Sequence, residues 1–239
     1  MVGWRLYVKT DRIAHISTYC DRWCERCAYT MRCAVFAWDA STAMCGDRCE
    51  GLRLALGSGI YEDDEAPSPE TVGFASGPSP QEIRQIVHSN GATEEQVGAT
   101  PIICSAFDYW TRSERWFKCR RDQLRVGADA DLIEALAIAS HDGLHVYTAL
   151  RSAVRCNAFH GERDESGSHP IQNHWNGSAK VALIMLSRSE SAWRTIAGAT
   201  NDADAAALMA TVSRLRAQAT LKFPSAMEYI RPGFDEPWR

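Results

Sequence analysis

Nine cysteines punctuate this 239-residue chain, and six of them, at positions 20, 24, 27, 33, 45 and 49, fall within one thirty-residue window. A window so dense in thiols is either stapled by disulfides or organised around a ligand. The odd total, the tight clustering and the first thirty residues decide between these. Arg5, Lys9, Asp11 and Arg12 interrupt any apolar core a secretory leader would need, so the thiols are expected to be thiolate ligands in a reducing, cytoplasmic setting.

The segment YCDRWCERCAYTMRC spaces its thiols C-x3-C-x2-C-x5-C. Thiolates are soft ligands, and four of them satisfy either a tetrahedral zinc or the irons of a cubane. Zinc sites usually pair two C-x2-C knuckles across a longer loop, and only Cys24 and Cys27 make such a knuckle here. The spacing therefore leans toward an iron–sulfur cluster of the 4Fe–4S type, with zinc as the alternative, held by Cys20, Cys24, Cys27 and Cys33. Trp23, Tyr19, Tyr29 and Phe36 would supply a dry shell, one of the levers on a cluster's potential. Positions 20, 24 and 27 are also i, i+4 and i+7 of a helix, where free cysteine behaves as a small buried hydrophobe. That alternative leaves Cys33, Cys45 and Cys49 unexplained, together with the charges of Asp21, Arg22, Glu25 and Arg26. Cys45 and Cys49, in CGDRC, would face one another on a helix and are candidates for additional metal ligands or a redox pair. Cys104, Cys119 and Cys156 stand alone within helical patterns and read as core or surface thiols.

Residues 1–58 form the Cys-rich metal- or cluster-binding module, residues 59–80 combine acids with Pro, Gly and Ser and read as a linker, and residues 81–239 carry the helical signals. Ser79-Pro80 with Glu82 predicts a short helix to Ser89. Thr100-Pro101 opens a second helix to about Gln123, with Ile103, Phe107, Trp110 and Phe117 at helical spacing. Acids from Asp129 to Asp131 open the longest one, in which Ile133, Leu136, Ser140, Gly143, Tyr147, Leu150 and Val154 step by three and four. Ser178 starts another, with Ala182, Met185, Ser189, Trp193 and Ile196 on one face, closed by Gly198. Asn201 starts the last, with Ala205, Leu208, Val212, Leu215 and Ala219, ended by Phe223-Pro224. Four long amphipathic helices define an all-α fold, a helical bundle with an irregular C-terminal tail lying against it. The connection 157–177 is expected to be a loop containing His160, His169 and His174.

Glu134, His141 and His145 share a stripe of the longest helix and form a candidate second metal site, as in carboxylate-bridged di-iron bundles. Those bundles need Glu-x-x-His on two helices, and the sequence contains none. The plainer expectation is that His141, Asp142 and His145 lie on a solvated or interfacial face.

A net charge of -4 without a Lys/Arg run gives no field for phosphates, so nucleic acid is not expected as a partner, and no stretch reaches the roughly 18 apolar residues of a membrane span. No Gly-rich phosphate loop, G-x-S-x-G elbow or H-E-x-x-H appears.

The first three cysteines resemble the C-x3-C-x2-C motif of radical S-adenosylmethionine enzymes over eight residues. Those enzymes place three cluster thiols on a loop of a β/α barrel; the fourth cysteine and the lack of βα alternation here keep their activity out of the expectation. CDRWCERCAYTMRC, NGSAKVALI with RSESAW, and FPSAMEYIRPGFDE are similar to segments of an uncharacterised bacterial protein family with an N-terminal cysteine cluster and a helical C-terminal part. That resemblance implies a bacterial origin and no activity. The functional expectation is an iron–sulfur protein with a redox or oxidoreductase role toward a redox partner or small molecule. The alternatives are a non-enzymatic, zinc-stapled assembly or regulatory protein and a di-metal carboxylate/histidine bundle oxidase.

Overall fold

A computed structural model describes residues 12–56, 94–120, 129–160 and 169–235. All regular structure among them is helical, without a strand. The predicted linker 59–80 and the short helix after Ser79 lie outside the described residues. The chain parts into two compact units, Met1–Val87 with Pro232–Arg239, and His88–Arg231.

The first unit is built from turns. Three 3-10 turns, Ile16–Tyr19, Cys24–Arg26 and Thr30–Arg32, lead into α1 (Ala34–Cys45) and α2 (Arg48–Leu56). Gly46, at φ 75°, ends α1 in the left-handed conformation that glycine adopts without a Cβ penalty. The two helices then pack so closely that a Cβ on Gly51 would fall 2.7 Å from the Thr42 backbone nitrogen. Ile16 and Ala55 are the only buried apolar side chains of this unit among the described residues. The C-terminal residues return here: Gly233 lies against Ile13 and Ile16, and the Phe234 ring meets Tyr29 edge-on at 5.1 Å. The tail is therefore shared, since residues 232–235 belong to this unit and not to the helical one.

The second unit holds a short helix α3 (Glu94–Gly98) and four long ones, α4 (Pro101–Arg120), α5 (Ala130–His160), α6 (His174–Thr200) and α7 (Ala203–Lys222). Contacts run α4 to α5, α5 to α6, α6 to α7 and α7 back to α4. Asp129 accepts the Leu132 N–H at 2.8 Å, Asn173 that of Asn176 at 2.9 Å, and Asp202 those of Asp204 and Ala205 at 2.8 and 3.1 Å. Each such side chain satisfies helix-start donors that otherwise lack partners. Asn173 rather than Ser178 therefore starts α6, one turn earlier than the periodicity predicts. Gly198 lies inside the helix, which ends at Asn201 in the left-handed region (φ 51°). Asp202, not Asn201, caps α7. Helix α5 runs to His160 and α6 starts at His174, so the predicted loop 157–177 is helical at its two ends, over 157–160 and 174–177.

The stripes of α6 and α7 are buried as predicted: Ala182, Met185, Ser189, Trp193 and Ile196 on one, Ala205, Leu208, Val212, Leu215 and Ala219 on the other. Those of α4 and α5 hold in part: Ile103 on α4 and Gly143, Leu150 and Val154 on α5 are buried as predicted, and the rest of each stripe is displaced. Helix α4 buries Ile102, Ile103, Ala106, Tyr109, Ser113 and Trp116, while Phe107 is 48% exposed. Helix α5 buries Ala135, Ala139, Asp142, Val146, Leu150 and Ala153, and Ile133 is 58% exposed. Small residues mark where α5 approaches its neighbours closely, and a stripe inferred from large apolar groups misses them. The chain after α7 folds onto α6 as expected, with Phe223, Ala226 and Tyr229 buried and the Lys180 ammonium donating to the Tyr229 carbonyl at 2.5 Å.

Candidate metal centre

The uneven cysteine spacing follows from the turns that carry it. Cys20, Cys27 and Cys33 each close a 3-10 turn in extended conformation, and Cys24 opens the middle one. The helix that would place positions 20, 24 and 27 on one stripe does not form. Between Cys20 and Cys24 the chain reverses through Arg22, at φ 62°. A non-glycine residue there costs about 1–3 kcal/mol, and such strain persists where surrounding contacts dictate it. Asp21 supports the reversal by accepting the Trp23 N–H at 3.2 Å, and the Arg26 guanidinium covers the Trp23 ring at 3.9 Å.

Cys20, Cys24, Cys27 and Cys33 all line one cavity. Ile16, Trp23, Phe36 and Phe234 give it an apolar wall. Backbone donors meet the sulfurs: Tyr29 N–H reaches Cys27 Sγ and Phe36 N–H reaches Cys33 Sγ, both at 3.4 Å, and the Arg22 N–H bonds Cys20. Cys33 thereby also caps α1. Burial pushes the Cys20 thiol up, against the backbone bond and charge of Arg22, with Asp21 and Cys33 adding to the rise. Cys24 is raised by burial and then by the charges of Cys20, Cys33, Cys27 and Glu25. The enclosed space is about 20 Å³, room for one water-sized sphere. Among the described residues no three His, Cys, Asp or Glu side chains stand as they are in an arrangement that holds a metal ion. The donor set is nonetheless of one kind, soft thiols at one cavity, and in its chemistry suits a zinc ion or an iron–sulfur cluster.

Cys45 and Cys49 do not share a helix. Cys45 ends α1, Gly46 breaks the chain, and α2 begins at Arg48. Both thiols are exposed, and neither lines the cavity of the other four; the Cys45 thiol donates to the Asp47 carbonyl at 3.1 Å. Cys104 and Cys119 are exposed and Cys156 is half-buried, as expected of ordinary thiols.

In the helical unit Glu134 is exposed on a groove of about 770 Å³ between α5, α6 and α7, lined also by Arg188, Arg216, Leu183 and Met227. His141 and His145 are half-buried on the same helix and stack with centroids 4.3 Å apart and planes at 4°. Asp142 is the residue the sequence reading underrates. It is fully buried and takes Arg188 in a fork, Nε to Oδ2 at 2.8 Å and Nη2 to Oδ1 at 2.5 Å, while Ser189 Oγ donates to Oδ2 at 3.0 Å. The same buried layer holds Tyr109, whose hydroxyl accepts from Trp193 Nε1 at 3.1 Å and whose pKa burial pushes up to about 12. A signal existed: Ala135, Ala139, Asp142, Val146 and Leu150 recur at helical period, with the acid at a core step. His169 Nδ1 accepts the N–H groups of Ile171 and Gln172, and His174 approaches Ser152 Oγ at 3.5 Å, so both serve the entry into α6.

Among the described residues no helix is long and apolar enough to cross a membrane. No family model, no curated protein and no solved structure matches this chain.

Proposed function

We propose that Cys20, Cys24, Cys27 and Cys33 together hold a 4Fe–4S cluster and that the chain is a cytoplasmic redox protein or oxidoreductase of the bacterial family its three segments resemble. The observation that carries this reading is that four cysteines line one apolar-walled cavity, three of them met by backbone N–H groups. Such donors stabilise sulfur in its anionic form, and a dry wall limits solvent, the two levers a protein has on cluster potential. The bound group would supply one-electron transfer. The chain's residues would hold it, keep water from it and compensate the thiolate charges with Arg22. The helical unit would be a four-helix bundle whose groove, polar at Arg188 and Arg216 and apolar at Leu183 and Met227, receives the redox partner or small molecule. Protein purified anaerobically should be brown, absorb at about 400 nm and bleach on reduction, with about four irons per chain. Colourless protein with one zinc per chain overturns the reading.

Zinc is the second reading, supported by the small volume of the cavity that the four cysteines line, which suits a single ion. The centre would then staple the first unit together, and the protein would serve assembly or regulation without catalysis. The di-metal oxidase draws less support, since no Glu-x-x-His is present and Glu134 lies exposed on the groove.

A further inference from the structure

A second cavity of the helical unit, about 270 Å³, lies between α4 and α7 and shares no lining residue with the groove of α5, α6 and α7. Helix α4 supplies Arg112, Arg115, Trp116, Cys119 and Arg120, which the helical period brings to one face. Helix α7 supplies Asp204 and Leu208. Three guanidiniums therefore meet one carboxylate around a space whose apolar lining is Trp116 and Leu208. The chain's net charge of -4 conceals this gathering of cations. What each cation already holds decides what is left for a ligand. Arg120 is committed to Asp202, with Nε at 2.8 Å and Nη2 at 2.5 Å from Oδ2. Arg112 meets the exposed Asp108 only at 3.4 Å and Thr211 Oγ1 at 3.5 Å, a hydroxyl to which Arg214 also donates at 3.2 Å. An exposed pair of that kind contributes little. Arg115 is exposed and makes no hydrogen bond or ion pair.

Compensation of a helix end accounts for Arg120, the last residue of α4, but that effect fades within one turn, and Arg112 and Arg115 lie more than a turn earlier. Asp204 sits in the first turn of α7, where the helix dipole favours a negative charge, and one carboxylate does not balance the two guanidiniums that remain. We propose that this cavity binds a small oxyanion, the carboxylate or phosphate group of a low-molecular-mass compound, through Arg112 and Arg115 and beside the Cys119 thiol. The planar guanidinium presents paired N–H donors that match either group. The volume falls below that of pockets for drug-sized ligands, so the compound is one with a short carbon skeleton. The inference is independent of the cysteine centre and stands whichever occupant that centre holds.

Cys119 reports on the cavity because it lines it and is exposed, and Cys104, exposed on the same helix but outside the lining, is the internal control. Full-length protein with its cysteine centre loaded is alkylated with iodoacetamide, which is neutral, or iodoacetate, which carries a carboxylate, and each peptide is followed by mass spectrometry. Both reagents react alike, the thiolate sulfur displacing iodide to leave a thioether, so their rate ratio at one thiol cancels that thiol's own reactivity. At low salt the ratio of iodoacetate to iodoacetamide should be at least about threefold higher at Cys119 than at Cys104. Arg115→Gln, at an exposed position, and Arg112→Gln should each lower the Cys119 ratio toward the control. Millimolar inorganic phosphate or succinate should slow iodoacetamide at Cys119 at least about threefold and leave Cys104 unchanged. Whichever protects at the lower concentration identifies the oxyanion as phosphate or carboxylate. Sodium chloride at matched ionic strength should protect neither thiol. Equal ratios at the two thiols, a ratio that both arginine variants leave unchanged, no protection by either anion, or protection that chloride matches overturns the proposal.

Discussion

The two units hold together by different physics. The helical unit buries whole stripes of side chains, Trp193, Leu186, Leu208 and Leu215 among them, and its stability follows from apolar surface removed from water. The cysteine-bearing unit buries only Ile16 and Ala55 among its described apolar side chains. Its order comes from 3-10 turns, a left-handed Arg22, a tight helix pair and thiols gathered at one cavity. Among the described residues this small core is the part of the chain whose folding a bound ligand would support most.

The sharpest break between them should come from the thiols. Changing Cys20, Cys24, Cys27 or Cys33 singly to serine replaces a soft anion with a hard neutral hydroxyl, so each variant should lose or degrade the cofactor. Hydrogen exchange should then accelerate in residues 12–56 while the cooperative melt of the helical unit stays in place. Retention of full metal content by all four variants would refute the shared site. Acid should act in the same direction. Cys20 and Cys24 hold their protons more tightly than free thiols, so binding must expel them, and cofactor affinity should fall as pH is lowered below neutrality.

Within the helical unit the largest loss should follow Asp142→Ala. Removing the buried carboxylate takes from Arg188 and Ser189 the acceptor they share in the α5–α6 interface, a cost of about 1–3 kcal/mol. Denaturant unfolding of the helical unit measures it, and a loss below about 1 kcal/mol would mean water replaces the carboxylate. The cysteine centre should keep its occupant, which makes this variant the mirror image of the serine set.

Two glycines sharpen the contrast further. A Cβ on Gly51 would lie 2.7 Å from both the Cα and the nitrogen of Thr42, atoms of backbone that cannot turn aside. A Cβ on Gly143 would meet only the Ser113 hydroxyl at 2.9 Å and Trp110 at 3.5 Å, and a hydroxyl can rotate. Gly51→Ala should therefore force α1 and α2 apart and weaken the first unit. Gly143→Ala should change helical-unit stability by about 1 kcal/mol or less, since improved helix propensity offsets crowding. Equal effects in a thermal melt would contradict the difference in packing.

These contrasts also explain what the sequence could show. Helices α6 and α7 were readable because Met185, Trp193 and Ile196 on one, and Leu208, Val212 and Leu215 on the other, anchor stripes that step by three and four and face one continuous interior. Helix α5 packs against both α4 and α6, so its buried arc is wide and lined by Ala135, Ala139 and Ala153, residues too small to stand out. Phe107, Trp110 and Tyr147 misled for the opposite reason: they are large and apolar, yet they pack on one another, ring to ring at 5.6 Å, with Phe107 half-exposed. For the cysteines, spacing identified the group and could not reveal its geometry, because 20, 24 and 27 fit a helix equally well. The choice is made at Arg22, a residue type that announces no left-handed turn. The return of Gly233 and Phe234 to the first unit is a contact across two hundred residues, which no local pattern encodes.

The smallest expected effect lies at the start of α7 and tests whether capping in the helical unit behaves as an ordinary increment. Asp202 accepts the N–H groups of Asp204 and Ala205 and takes Arg120 in a fork, Nε at 2.8 Å and Nη2 at 2.5 Å. Burial alone would raise its carboxyl, but the bonds from Arg120, Ala205 and Asp204 outweigh that and hold it below the usual carboxylate range. A group depressed in the folded state stabilises above its unfolded pKa, about 3.9 for aspartate, and the benefit disappears as pH falls through the lower folded value. Asp202→Ala should thus cost about 1 kcal/mol at pH 7, the usual worth of a cap, and progressively less as pH falls below about 3.9. Denaturant curves for wild type and variant across that range measure the difference. A gap that stays constant into acid would show that Asp202 acts by packing alone, with neither its charge nor the Arg120 bridge contributing.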